Sequence, residues 1–305
     1  MKNMKLGSSG LSVPVIAVGC MRLNRIETST AEKLLQKALD LGLNFFDHAD
    51  IYGAGACEEA FAEAVHMSPA VREKLIIQSK CGVRPGMYDF SKEHILEAVD
   101  GSLSRLKTDY LDVLLLHRPD ALCEPEEVAE AFDELEKSGK VRHFGVSNMK
   151  PMQIELLKRA VRQPLIVDQL QFGIAHAGLI TNSLHVNMED DGANDRSGSA
   201  LDYFRLHDIT MQAWSPLQYG YFGGSILDSP KYVKLNDKLE EIADRYDVDK
   251  STIAFAWILR HPAGIQPITG TMNLMHLADC AAAADITLTR REWYSLYCAA
   301  GNILP

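Results

Sequence analysis

The chain has 305 residues, 47% of them hydrophobic, and a formal net charge of −10. That is ample apolar material for a sizeable core. The acidic balance argues against a nucleic-acid interface, which needs a basic stripe, and no window reaches the roughly 18 apolar residues of a membrane helix.

Apolar runs alternate with helical patterns along the chain. Residues 13–19 read as a first strand. A helix over 29–41 follows, with Ser29 and Glu32 spaced as a capping box, Ala31, Leu34, Leu35, Ala38 and Leu41 on one face, and Gly42 as its stop. Then come a strand at 43–47 and a helix at 57–66, a strand at 75–80 and a helix near 92–106. A strand at 111–117 and a helix near 125–138 are followed by a strand at 143–147, a helix at 150–161 and a strand at 165–169. The polar stretch 173–198 reads as a long loop on the functional side of the fold. A helix near 199–206, a strand at 209–214, helices near 232–246 and 251–261, and a strand at 265–268 come next. Helices near 273–283 and 290–300 finish the chain, the last with Thr289 and Glu292 as a capping box.

Eight strands alternating with helices, and no composition shift, predict an α/β fold: a (β/α)8 TIM barrel in one domain over 1–305, with extra helices after strand 7 and at the C-terminus. A doubly wound sheet is the alternative. The six cysteines, at 20, 57, 81, 123, 280 and 298, form no Cys-x-x-Cys pair, so neither a zinc ribbon nor a redox dithiol is expected. No dense His and carboxylate cluster suggests a metal. Lys2 and Lys5 are not followed by an apolar signal core, and a cytoplasmic protein with reduced thiols is the expectation.

Three successive strands end on ionisable groups. Asp47 closes the second, Lys80 the third and His117 the fourth, and Tyr52 sits in the loop just past Asp47. In a parallel barrel all these ends share one face. Each alone has an ordinary explanation: a capping Asp, a solvated Lys, a core His. Together they make a chemical set. An ammonium beside a phenol favours phenolate and improves the phenol as a proton donor; a carboxylate beside the lysine holds it charged. His117 is placed to orient a carbonyl oxygen. Such a set calls for a hydride donor on the carbonyl's other side. Gly53-Ala54-Gly55 is half of a G-x-G-x-x-G fingerprint, but Glu58 stands where the third glycine belongs, so a Rossmann reading is not supported.

This tetrad of Asp, Tyr, Lys and His resembles that of the aldo-keto reductase superfamily, in its bacterial oxidoreductase branch. The similarity extends through 6–11, Gly19-Cys-Met-Arg22, Gly145-Val-Ser-Asn148, Gln169, Ala213-Trp-Ser-Pro-Leu217, Pro267-Ile-Thr-Gly-Thr271 and the helix start at 288–293. The resemblance implies NAD(P)H-dependent reduction of an aldehyde or ketone, with Asp47, Tyr52, Lys80 and His117 catalytic. It implies that Gly19, Met21 and Arg22 border the cofactor, that Ser147, Asn148 and Gln169 bind the nicotinamide carboxamide, and that Trp214 stacks on its ring. Ser215 and Leu217 would carry the pyrophosphate, with the glycines 220–224, while Gly270, Thr271, His276 and Asp279 would hold the adenosine end. His276 falls where the family places an arginine, and no Lys or Arg occurs from 269 to 289. NADP(H) is the favoured cofactor, with NAD(H) or dual use as the rival.

Met21, Tyr88, Tyr219, Phe222 and the 173–198 loop are the expected substrate walls, and their character suggests a carbonyl compound with an apolar body. No nucleic-acid or membrane partner is expected, and the sequence leaves a protein partner open. Two other functions fit parts of the sequence. One is a nicotinamide-binding regulatory or partner-binding protein with little turnover. The other is a Schiff-base aldolase using Lys80, which leaves Tyr52, Gln169 and Trp214 without a role.

Overall fold

A computed structural model describes residues 1–305. Eight parallel strands close into a barrel: β1 (Ala17–Gly19), β2 (Phe45–Asp47), β3 (Ile76–Cys81), β4 (Leu111–Leu116), β5 (Val141–Ser147), β6 (Leu165–Gln171), β7 (Thr210–Trp214) and β8 (Gln266–Thr269), with β8 pairing back onto β1. Helices Val233–Tyr246 and Lys250–Leu259 lie between β7 and β8, and Leu274–Ala282 and Arg290–Ala299 follow β8. The expected architecture, extra helices included, is therefore the observed one.

The barrel forms because each strand alternates its side chains between two apolar environments. Phe46, Ile77, Leu114, Leu116, Phe144, Val146, Met211 and Ala213 face the helices and join the large outer core. Phe45, Val113, Leu115, Val167 and Ile268 fill the inside with Leu6, Val13 and Ala17. Two inward positions accept only glycine: a Cβ on Gly145 would lie 2.7 Å from both Leu115 Cδ2 and the Val167 carbonyl, and one on Gly19 would lie 2.9 Å from Ile268 Cγ2.

Several boundaries differ from the sequence reading. Residues 13–19 divide: Ser12–Pro14 pairs antiparallel with Asn3–Lys5 in a hairpin, and only Ala17–Gly19 enters the barrel. A second hairpin, Val83–Arg84 with Met87–Tyr88, interrupts the connection after β3. The first long helix spans Thr28–Asp40 with Glu27 at the cap and no side-chain capping bond, so Ser29 lies inside the first turn and makes no capping box. The Thr289 and Glu292 box is present in both directions. The 173–198 segment is not a bare loop. It holds the helix Gly178–Leu184 and the turn Asp191–Ala193, tied to the chain end by Thr181 Oγ1 with Tyr297 Oη at 2.9 Å and His185 Nε2 with the Ile303 carbonyl at 3.0 Å. No helix is long and apolar enough to cross a membrane.

Candidate active site

The inward-pointing residue at the C-terminal end of a barrel strand looks into the barrel mouth. Asp47, Lys80, Ser147, Gln169 and Trp214 hold such positions, and His117 follows β4 directly. The backbone beyond β2 keeps pairing with β3, His48 N–H to the Gln78 carbonyl at 2.8 Å and Asp50 N–H to the Lys80 carbonyl at 3.0 Å, so the turn carrying Tyr52 starts from a fixed base. That turn is tight: Gly53, Ala54 and Gly55 all have positive φ, and a Cβ on Gly55 would lie 2.6 Å from Arg105 Cδ. Its glycines serve the turn and no dinucleotide fingerprint. Glu58, fully buried, anchors the far side, accepting from Ser79 Oγ at 2.7 Å and Arg105 Nε at 2.8 Å.

Lys80 is fully buried and its ammonium is the hub of the site. It donates to Asp47 Oδ2 at 2.9 Å, to the His48 carbonyl at 2.7 Å and to Tyr52 Oη at 3.1 Å, and lies 2.8 Å from Asp47 Oδ1. Burial by itself would push this lysine down, but the Asp47 carboxylate and Tyr52 outweigh it and the ammonium sits above its ordinary value. For Tyr52 the balance runs against the simple expectation. Lys80 does pull the phenol down, yet burial is the larger effect, and the net shift is upward. Tyr52 is thus held fully protonated, with a cation aimed at the oxygen that would become phenolate. The His117 ring stands edge-on to Tyr52, 5.9 Å between centroids. Burial first, then Lys80 and Arg118, hold His117 well below the usual histidine range, so its imidazole is neutral at pH 7.

The expected carboxamide pocket is bonded to itself. Ser147 Oγ donates to the Gln169 carbonyl at 2.9 Å; Asn148 Nδ2 donates to Ser147 Oγ at 2.7 Å and to the His117 carbonyl at 3.3 Å; Trp214 Nε1 donates to Asn148 Oδ1 at 3.1 Å. The Gln169 nitrogen donates to Asp47 Oδ1 at 2.9 Å and to Gln212 Oε1 at 3.0 Å, leaving its Oε1 with no bond inside the chain. After β7, Ser215, Gly220, Phe222 and Gly224 adopt positive φ, and the N–H groups of Gln218, Tyr219, Gly223 and Ile226 bond to carbonyls within the loop. A flat amide-bearing ring fits this combination of free acceptor and aromatic face.

Other expected residues fall as follows. Gly19 ends β1. Met21 is partly exposed beyond it, and Arg22 Nη2 bonds the Gly270 carbonyl at 2.5 Å, joining the loops after β1 and β8. Leu217 packs on the outer core. Thr271 Oγ1 accepts from Asn273 N–H at 3.1 Å, His276 is exposed in the first turn of the following helix, and Asp279 is half-buried one turn on, raised by burial and by Asp249. Tyr88 is exposed on the second hairpin. Phe222 stacks on Trp214 at 5.9 Å. Tyr219 does not join them: it packs on Tyr232 at 5.2 Å under the Lys231 ammonium. One residue was missed. Arg118, next to His117, makes no hydrogen bond or ion pair, and its guanidinium lies 5.6 Å from the Trp214 ring centroid and 5.8 Å from that of Tyr221. Its signal in the sequence was its place after the strand-ending histidine.

A family model described as "Aldo/keto reductase family" matches residues 15–297. The chain belongs to the aldo/keto reductase family. This aldo/keto reductase is 36% identical to a protein named 6-dehydroglucose reductase of Novosphingobium aromaticivorans, over 99% of the chain and 96% of that protein. It is 35% identical to Oxidoreductase YdhF of Escherichia coli, over 87% and 86% respectively. Among solved structures it resembles an aldo/keto reductase from Klebsiella pneumoniae in complex with NADP and acetate, at a TM-score of 0.80 and 25% identity, over 100% of this chain and 98% of that one. The chain is accordingly an enzyme, an oxidoreductase of carbonyl compounds.

Proposed function

We propose that this enzyme reduces an aldehyde or ketone to the alcohol with NADP(H), and that Tyr52 delivers the proton. The observation that carries the reading is the single ammonium of Lys80 bridging Asp47 and Tyr52 at the barrel mouth. A bound nicotinamide would supply the hydride from its C4 to the carbonyl carbon. The chain's own groups do the rest. Tyr52 gives its proton to the carbonyl oxygen, and Lys80 stabilises the phenolate left behind. Asp47 holds Lys80 charged, and neutral His117 orients the oxygen. A positioned acid of this kind is worth about 10²–10⁴ in rate. Gln169 Oε1 would take the carboxamide N–H₂, and Asn148 Nδ2, by releasing its long bond to the His117 carbonyl, would meet the carboxamide oxygen.

The NADP-bound Klebsiella neighbour supports NADP(H). His276, Thr271 and backbone amides would take the 2′-phosphate in place of an arginine. For the substrate, the unpaired Arg118 between Trp214 and Tyr221 favours a hydroxylated or anionic carbonyl over the wholly apolar one suggested by the pocket's composition. The name of the Novosphingobium relative, 6-dehydroglucose reductase, points the same way. The aldolase alternative needs a free neutral amine at Lys80, whereas this lysine is raised and committed to three acceptors.

Fluorescence titration with NADPH and NADH, followed by carbonyl reduction assays on wild type and Tyr52→Phe, tests the proposal. Tighter NADPH binding, turnover in wild type and loss of most turnover in Tyr52→Phe are expected. Binding without any reduction would instead identify a cofactor-sensing partner protein. Unchanged turnover in Tyr52→Phe would remove Tyr52 as the acid.

A further inference from the structure

The inside of the barrel contains a layer that packing alone does not explain. Barrel interiors are usually filled by branched apolar side chains, and the lower part of this one is. Above it sit four buried glutamines, Gln78, Gln169, Gln212 and Gln266, none more than 3% exposed. Gln78 Nε2 donates to Asp47 Oδ1 at 2.6 Å and to Gln212 Oε1 at 2.8 Å, and Gln169 Nε2 bonds the same two oxygens. Gln212 Nε2 donates to Gln266 Oε1 at 2.8 Å, and Gln266 Nε2 to the Pro14 carbonyl at 2.7 Å.

Both ends of this ladder, a carboxylate and a main-chain carbonyl, only accept hydrogen bonds. Every amide orientation is thereby fixed, and all point their nitrogens toward one end or the other without conflict. The layer also carries a penalty that an apolar layer would avoid, since Gln78 Oε1 is buried without a partner. Both upper amides converge on one atom, Asp47 Oδ1, while Lys80 engages both oxygens of that carboxylate. The carboxylate cannot rotate without breaking several bonds together.

We propose that Gln78, Gln212 and Gln266 are positioning residues for the proton donor, acting through Asp47 and Lys80 to hold Tyr52 Oη in its productive place. This rests on the functional reading above. The charged and titratable groups facing Lys80 are Asp47, Tyr52, Cys20, His48, Asp50 and His117. Among them Asp47 raises both Lys80 and Tyr52. Loosening Asp47 must therefore let both groups lose protons at lower pH, and the alkaline limb of turnover moves toward neutrality.

The test is Gln212→Met, which keeps the length of the side chain and removes its hydrogen bonding. In the full chain, kcat against pH, NADPH affinity and melting temperature are measured together. Turnover is expected to fall about tenfold at neutral pH, and the alkaline limb to drop by about one pH unit, with NADPH affinity within a few-fold of wild type. Gln78→Met should behave alike, and Gln266→Met should shift the limb less. A folded Gln212→Met enzyme whose limb stays in place overturns the proposal, leaving the glutamines as barrel support. If Gln212→Met does not fold, Gln78→Met, which removes one donor to Asp47 directly, is read by the same profile, and an unmoved limb has the same force. A wild type that reduces no carbonyl would defeat the functional reading first, a different result from an active enzyme with an unmoved limb.

Discussion

Replacing Lys80 by Met tests the centre of the site as a matter of stability, independently of turnover. The substitution removes a fully buried ammonium and leaves the Asp47 carboxylate, itself 3% exposed, without its counter-charge. Breaking a buried ion pair from one side costs about 3–5 kcal/mol. Asp47 keeps the Gln78 and Gln169 donors, so the lower end, about 3 kcal/mol, is expected. Equilibrium urea unfolding followed by circular dichroism would show it as a lower midpoint at unchanged slope. The double variant Asp47→Asn with Lys80→Met removes the stranded charge while Asn still offers an oxygen to both glutamines. It should recover most of the loss, because a neutral replacement of both partners is often close to neutral in stability. A single variant within about 1 kcal/mol of wild type, or a double variant whose loss is the plain sum of the two singles, would refute the reasoning.

Four further outcomes are expected. Trp214→Ala should weaken NADPH binding up to about tenfold by fluorescence titration, because an aromatic stack is worth about 0.5–1.5 kcal/mol; equal affinity would place the indole outside the cofactor site. Arg118→Met should raise KM about tenfold for a carboxylate-bearing aldehyde such as succinic semialdehyde and leave benzaldehyde unaffected; parallel changes would deny it a role in selectivity. His276→Arg should improve NADPH affinity relative to NADH about tenfold, and an unaltered ratio would mean that the phosphate lies elsewhere. Gly145→Ala should destabilise by about 1–3 kcal/mol through overpacking, read in the same urea assay, since its Cβ would meet Leu115 Cδ2 and the Val167 carbonyl at 2.7 Å; a neutral effect would show that β4 and β5 can part locally.

Most of the barrel was legible because its strands are short apolar runs between well-patterned helices. Lys92–Leu106 falls where its Ile95, Val99, Leu103 and Leu106 spacing puts it. The four tetrad positions could be grouped because parallel strands share one end. What escaped had a physical reason. The Asn3–Lys5 and Ser12–Pro14 hairpin is three residues a side, too short for period-two alternation to register. Gly178–Leu184 hides its Leu179, Ile180 and Leu184 among Asn, Ser and Thr that read as loop. The sign of the Tyr52 shift was missed because burial cannot be weighed from neighbours in sequence. The ladder was invisible because Gln78, Gln212 and Gln266 lie far apart in the chain and look like polar breaks in apolar strands.

The lowest rung of that ladder is a carbonyl, not a side chain. A peptide oxygen survives any exchange of the residue that carries it. The anchorage beneath Asp47 and Lys80 is thus shielded from point mutation at position 14. Within the ladder, change enters through the glutamines or through a shift of the Asn3–Pro14 hairpin that carries this carbonyl. Divergence can therefore rework the mouth, where Tyr221, Phe222 and Tyr88 are exposed, while the footing below stays the same.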